Sequence, residues 1–274
     1  MILGAGAFAY VNVRFAIDCV IGHPRSGTKL LSTILNAAGT EHCRHEYLAR
    51  LSTMCVALPT EFYAGRADEA DVLHLLRHYE FTPSPWVRID SNWKLTWILP
   101  VFLKRFPDAR VLHLSRDPRT NVQSCHSLDF YGACLHRPEF LARGYWQKWM
   151  PTVDRPDWDE LSPLERNGAF WTETHRLALA ALDGHPHRHH VRMEDLHRRR
   201  TRTEIFDFFD IAPPRRRAGA RSVRSRVNDR EEIKAKLRRH KQDGVGAYRD
   251  WPRQQRTRLV ELCGATAGLL GYDL

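Results

Sequence analysis

The chain has 274 residues, 42 Lys+Arg against 32 Asp+Glu, 15 His, 6 Cys and 43% apolar residues, for a formal charge of +10. Apolar residues spread through the chain exclude global disorder, and the length is enough for one large α/β domain or two small ones. No apolar run approaches the roughly 20 residues that cross a bilayer, so no membrane span is expected. The opening stretch 1–17 (MILGAGAFAYVNVRFAI) is apolar but carries neither a basic leader nor a clear cleavage site. The surplus of cations asks for an anionic partner without naming it. Cys19, Cys43, Cys55, Cys125, Cys134 and Cys263 include no C-x-x-C pair, the pattern of reduced thiols in a cytoplasmic protein. The tract 185–190 (HPHRHH) follows Gly184 and contains Pro186, which reads as a solvated loop rather than a metal site.

Taken in chain order, the run 4–9 (GAGAFA) imitates a dinucleotide fingerprint but has no strand before it and no acidic residue in the required context. Residues 1–16 are read as an N-terminal extension. Residues 17–21 (IDCVI) form a strand that stops at Gly22, and 28–38 follow as a helix, with Leu30, Leu31, Ile34 and Leu35 on one face and Gly39 closing it. A strand over 86–89 precedes a helix running through Leu103 to Phe106-Pro107. A further strand, 110–115 (RVLHLS), leads into a helix over 118–127 opened by Asp117 and Pro118. Alternation of this kind predicts a three-layer α/β/α fold with a central parallel sheet. The second half is more helical: a helix over 164–182, a strand over 190–193, a short helix over 204–209, a basic loop over 215–226 and a final helix over 254–270. With no repeat and no convincing linker, 1–274 reads as a single domain.

The segment 22–31 (GHPRSGTKLL) carries the chemistry. A strand that ends in a glycine-containing turn and opens a helix aims backbone N–H groups at one point, where the helix dipole adds positive charge. Arg25 and Lys29 add full charges, and Ser26 and Thr28 add hydroxyls around Gly27. An ordinary β-turn-α corner has little packing use for two cations and two hydroxyls crowded there, so a bound phosphate is the better reading. The nucleotide-triphosphate pattern is G-x-x-x-x-G-K-[ST]. Here Lys29 comes one place late, Leu30 offers magnesium no hydroxyl, and the strand 111–115 runs into Arg116 instead of ending in an acid.

The run 24–28 (PRSGT) resembles the 5′-phosphosulfate loop of sulfotransferases that use 3′-phosphoadenosine 5′-phosphosulfate (PAPS), in the form seen in Golgi-type, tyrosylprotein and bacterial members. A second run, 116–124 (RDPRTNVQS), resembles the 3′-phosphate element of that superfamily, in which an Arg and a Ser eight residues apart hold the phosphate. Arg116 leaves the strand end while Ser124 lies two turns into the next helix, so guanidinium and hydroxyl reach one phosphate together. A plain helix start accounts for Asp117 and Pro118 but not for that pair. The segments 106–110 (FPDAR), 191–196 (VRMEDL, with Met193 in place of an aromatic) and 268–273 (GLLGYD) are similar to family elements in the same order. The resemblance runs from about residue 18 to the last residue.

That resemblance implies a P-loop-like sulfotransferase fold and sulfonate transfer from PAPS to a hydroxyl by in-line displacement. The product is 3′-phosphoadenosine 5′-phosphate (PAP), no metal takes part, and the acceptor is a small molecule or glycan rather than nucleic acid. Arg25, Ser26, Gly27, Thr28, Lys29, Arg116 and Ser124 would hold the donor. Lys29 stands where the family carries a second Thr; contact with the phosphate is expected, with projection into solvent as the alternative. Gap-free alignment on Arg25 brings Glu46, in 42–47 (HCRHEY), onto the Glu that serves as general base in tyrosylprotein sulfotransferases. Its neighbours Arg44 and His45 favour the ionised carboxylate; His45 and His42 are the alternative bases, and a plain helix-opening Glu is the structural one. In 90–94 (DSNWK) Ser91 occupies the place of a family Lys, and Lys94 stands three residues later, either taking over that catalytic role or leaving it lost. The basic, glycine-containing loop 238–248 offers Lys241 and Gly244 to the donor. The tryptophans, including Trp86, Trp93, Trp97, Trp146 and Trp149, pack in the core or line an acceptor cleft, and 129–158 is a candidate gating segment. Competing readings are a P-loop-type small-molecule kinase and a non-enzymatic polyanion binder using 215–226.

Overall fold

In the computed structural model, which describes residues 17–37, 41–46, 54–77, 88–128, 130–131, 151–214 and 246–274, strands and helices alternate. Strand β1 (Asp18–Gly22) leads into α1 (Thr28–Asn36), then β2 (Cys43–His45), α2 (Met54–Tyr63) and α3 (Glu69–Leu76). Next come β3 (Ile89–Ser91), a 3₁₀ turn (Trp93–Ile98) that runs into α4 (Leu99–Arg105), β4 (Val111–Ser115) and α5 (Pro118–His126). The remainder is α6 (Pro163–Leu182), β5 (Arg188–Arg192), α7 (Arg199–Phe208) and α8 (Arg253–Leu269).

The strands form one parallel sheet in the order β2-β3-β1-β4-β5. Because side chains alternate across a strand, β1 and β4 feed both faces. Cys19, Ile21 and Val111 pack with Val72, Leu76, Phe102, Ala178 and Leu182 from α3, α4 and α6. Val20, Leu112 and Leu114 pack on the opposite side with Leu31 and Leu35 of α1 and Ile205 and Phe206 of α7. The result is the three-layer α/β/α arrangement expected of the sequence.

Helix starts follow the local chemistry. Ser162 and Glu165 form a reciprocal capping box with Pro163 at the first helical position of α6, and Asp68 with Asp71 does the same for α3. The order of strand addition switches sides about β1, which lies between β3 and β4. The loops 22–27 and 115–117 therefore leave the carboxyl ends of two adjacent strands at the switch point, where open α/β sheets bind ligands.

Several boundaries differ from expectation. The strand placed at 86–89 is Ile89–Ser91. Its polar residues are buried rather than solvated, Ser91 because its hydroxyl donates to the Thr28 carbonyl at 2.9 Å. The histidine tract is not all loop: Arg188–His190 pair with β4 as edge strand β5, in which only Val191 is buried. A strand paired on one side leaves room for such polar side chains. That strand ends at Arg192, and Met193 opens a 3₁₀ turn, Met193–Asp195. Helix α7 begins at Arg199, ahead of 204, because its first turn is polar and only Ile205 and Phe206 are buried. Strand β2 and helices α2 and α3 carry too little periodicity to have been anticipated. Cys19, Cys43, Cys125 and Cys263 are free, buried thiols, in line with a reduced protein. Trp86, Trp146, Trp149, Lys241, Gly244, the run 4–9 and the basic stretch 215–226 lie outside the described residues. Among the described residues no helix is long and apolar enough to cross a membrane.

Candidate active site

The loop after β1 is held close to β4. A Cβ on Gly22 would sit 2.2 Å from the Leu114 carbonyl oxygen, so only glycine fits there. Thr96 clamps the same residue, its hydroxyl lying 3.2 Å from both the Gly22 N–H and the Gly22 carbonyl. Arg25 (φ 68°) and Gly27 (φ 95°) are left-handed, and together they turn the chain into α1. No side chain caps α1. Its first-turn N–H groups are thus left to an incoming anion, beside the exposed side chains of Arg25 and Lys29. Ser26 and Thr28 are buried.

The second element closes on the first. Arg116 donates from Nη1 to the Arg25 carbonyl at 2.9 Å, holding the backbone of a residue in a costly conformation. Arg25 donates from Nε to Ser124 Oγ at 3.2 Å. Asn121 on α5 donates to the Pro24 carbonyl at 3.2 Å and to Ser26 Oγ at 3.1 Å. The structure therefore brings Arg25, Ser26, Arg116 and Ser124 together, although the two runs are separated by about ninety residues. Burial lowers the Arg116 pKa, while the Glu194 carboxylate opposes that shift. Lys29 is exposed and has no ion pair with a described residue. Gly246, two residues beyond Gly244, accepts from Gln123 Nε2 at 2.8 Å, next to Ser124.

On the other side of β1, Glu46 ends β2 with φ 52° and donates its N–H to the Ser91 carbonyl at 3.0 Å. The buried Trp93 donates its indole N–H to Glu46 Oε1 at 3.0 Å. One carboxylate oxygen is thereby oriented, leaving Oε2 for a second partner. Lys94 is only 4% exposed, with its ammonium 4.9 Å from the Trp93 ring centre. Burial lowers its pKa, and Glu46 and Asp90 partly restore the charged form. The lysine thus lies beside the candidate base. Ser91 serves structure by tying β3 to α1. His45 is engaged through Nδ1 with the Ser91 carbonyl at 2.9 Å. The His42 pKa is lowered by burial and by Arg88.

No protein-family model matches the chain, and no curated protein is significantly similar to it. Solved structures do match. A sulfotransferase domain from the curacin biosynthetic pathway aligns with TM-score 0.50 and 15% identity, over 94% of this chain and 98% of its own. A sulfotransferase domain from the Synechococcus PCC 7002 olefin synthase aligns with TM-score 0.52 and 16% identity, over 94% and 95%. The fold is that of sulfotransferase domains.

Within this sulfotransferase fold, at and beneath the loop after β1, lie buried histidines that sequence reading missed. His23 is fully buried, its Nδ1 2.8 Å from the Pro24 carbonyl, and its pKa is pushed down to about 3 by burial. His113 Nε2 and His175 Nδ1 lie 2.8 Å apart, both in the core. Burial lowers His113 to about 3 and His175 well below the ordinary range. Trp93, Asn121 and Thr96 were likewise unassigned as site residues. Asn121 falls inside the run 116–124 and Trp93 adjoins Lys94, but nothing local announces their partners. Trp93 and Trp97 pack with Phe170 and Trp158 in one buried cluster, so the core reading holds for them.

Proposed function

We propose that the chain transfers a sulfonate group from PAPS to a hydroxyl of a small molecule or glycan, in the cytoplasm. The observation that carries this is the convergence of the two phosphate elements: Arg116 on the Arg25 carbonyl at 2.9 Å, and Arg25 on Ser124 at 3.2 Å. Uncapped N–H groups at α1, with Arg25, suit the 5′-phosphosulfate, and Arg116 with Ser124 suits a 3′-phosphate. When the donor is bound it supplies the electrophilic sulfur and a stable phosphate leaving group. The chain's own task is alignment and charge stabilisation.

The acceptor oxygen forms a bond to sulfur as the bond between sulfur and the bridging oxygen of the 5′-phosphate breaks. The bond's electron pair leaves on PAP, where Arg25 stabilises it. Glu46 Oε2 accepts the acceptor's proton, while Oε1 stays on the Trp93 indole. Lys94, buried beside Glu46, keeps positive charge near the carboxylate.

The test is incubation with PAPS and fractionated acceptor extracts, read by mass spectrometry as a gain of one sulfonate group. Glu46→Gln should lower that product by roughly 10²–10⁴-fold, the usual scale for general-base catalysis, while PAP binding persists. Unchanged turnover would remove Glu46 from the role. Phosphoryl gain from ATP·Mg, with none from PAPS, would replace the whole reading with a kinase.

A further inference from the structure

Two segments that resemble family elements, 191–196 (VRMEDL) and 268–273 (GLLGYD), have no part in the chemistry above. They meet at the peptide group that follows β4. The carbonyl of Arg116 accepts from the Trp171 indole at 3.1 Å, and the N–H of Asp117 donates to Glu194 Oε1 at 3.1 Å. Side chains from two distant elements thus hold both ends of one peptide, the one from which the Arg116 side chain departs. The other Glu194 oxygen, Oε2, accepts from the Tyr272 hydroxyl at 3.1 Å. Tyr272 OH also lies 3.0 Å from Ser115 Oγ, the last residue of β4, which lies 2.8 Å from His190 Nε2. Burial pushes the Tyr272 phenol further above its ordinary pKa, so it remains a protonated hydrogen-bond donor.

Glu194 is exposed, so solvent screens its attraction for Arg116 and its value lies in the two directional hydrogen bonds. A free loop peptide would rotate and swing the guanidinium with it. Here Ser115, Arg116 and Asp117 are each tied to the Glu194–Tyr272–Trp171 set.

We propose that Glu194 and Tyr272 are positioning residues that aim the Arg116 guanidinium at the donor's 3′-phosphate. This rests on the reading of Arg116 and Ser124 as the 3′-phosphate element. The C-terminal residues thereby contribute to nucleotide selectivity without touching the nucleotide.

Calorimetry with PAP and with adenosine 5′-monophosphate, which lacks the 3′-phosphate, tests this on the full chain and on Tyr272→Phe, Glu194→Ala, Glu194→Gln and Arg116→Ala. Tyr272→Phe and Glu194→Ala should each weaken PAP by about three- to tenfold, the scale of one hydrogen bond, and leave the monophosphate within about twofold. Glu194→Gln should recover part of the loss, because its amide oxygen still accepts the Asp117 N–H. A purely structural role would weaken both nucleotides alike, and that result overturns the inference. Selective loss in Arg116→Ala with unchanged binding in the other variants also overturns it while leaving the 3′-phosphate reading intact. Unselective loss in Arg116→Ala overturns that reading itself. Tyr272→Phe removes a single oxygen and keeps the packed ring, so it decides the matter even if Glu194→Ala does not fold.

Discussion

The proposed donor side and the proposed base side of the site stand on opposite flanks of β1 and are held in different ways. On the donor side, every loop residue from Gly22 to Ser26 is bonded: Thr96 grips Gly22, His23 bonds Pro24, Asn121 holds Pro24 and Ser26, and Arg116 holds Arg25. On the base side, Glu46 has one backbone bond and one indole bond, at the end of a three-residue edge strand. The difference suits the two proposed tasks. Stabilising an anion needs several dipoles fixed in one place before the ligand arrives, whereas a base needs one oriented oxygen. The donor side should therefore tolerate little change, and the base side more.

Apart from Glu46→Gln, which deletes the base itself, Arg25→Ala gives the largest expected effect. It removes a charge at the leaving phosphate and the bond to Ser124, and turnover should fall by about 10²–10³-fold, the scale of losing one group that stabilises transition-state charge. A loss no greater than that of Trp93→Phe, which leaves the carboxylate in place, would break the contrast.

The second effect is on stability. Burial pushes the pKa of His23 and His113 down to about 3 and that of His175 well below its ordinary range, against about 6.5 in the unfolded chain. Between those limits the unfolded state binds more protons. Stability is therefore complete above about pH 6.5 and is lost as pH falls toward 3, at up to about 1.4 kcal/mol per pH unit for each histidine. Urea unfolding at neutral and mildly acidic pH checks this, and His175→Gln should flatten the dependence. A pH-independent midpoint would mean that the donor loop does not rest on neutral imidazoles.

Legibility in the sequence divides along the same line. Arg25, Ser26, Gly27, Thr28, Arg116 and Ser124 sit in two short runs whose local order encodes strand, turn and helix start. The loop 22–29 reads as an anion site from that local order alone, whereas the phosphate role of Arg116 and Ser124 is what the resemblance implies. The bonds that organise them are long-range: Trp171 to Arg116 spans 55 residues, and Ser115 to Tyr272 spans 157. No local period announces such pairs. Strand β2 was missed because three residues reading Cys-Arg-His show neither alternation nor an apolar run. The tract 185–190 was misjudged because its residues look solvated, and an edge strand is half solvated.

Smaller effects sharpen the comparison. Trp93→Phe keeps the ring but removes the N–H that orients Glu46 Oε1, and should lower kcat by about tenfold with little change in PAP affinity, as expected for loss of one hydrogen bond to a charged group. A matching loss of PAP affinity would show that the two flanks are not separable. Lys29→Ala is the mildest. Its exposed ammonium should change PAP affinity by no more than about threefold at moderate salt. A loss comparable with Arg25→Ala would instead place Lys29 on the phosphate.

The central claim is that the two converging elements hold a nucleotide carrying both 5′- and 3′-phosphates, and calorimetry of the full chain with PAP against ATP·Mg tests it most directly. Saturable PAP binding, with ATP·Mg much weaker, is the result expected of Arg116 and Ser124 facing a 3′-phosphate. Tight ATP·Mg binding with no heat from PAP would contradict it.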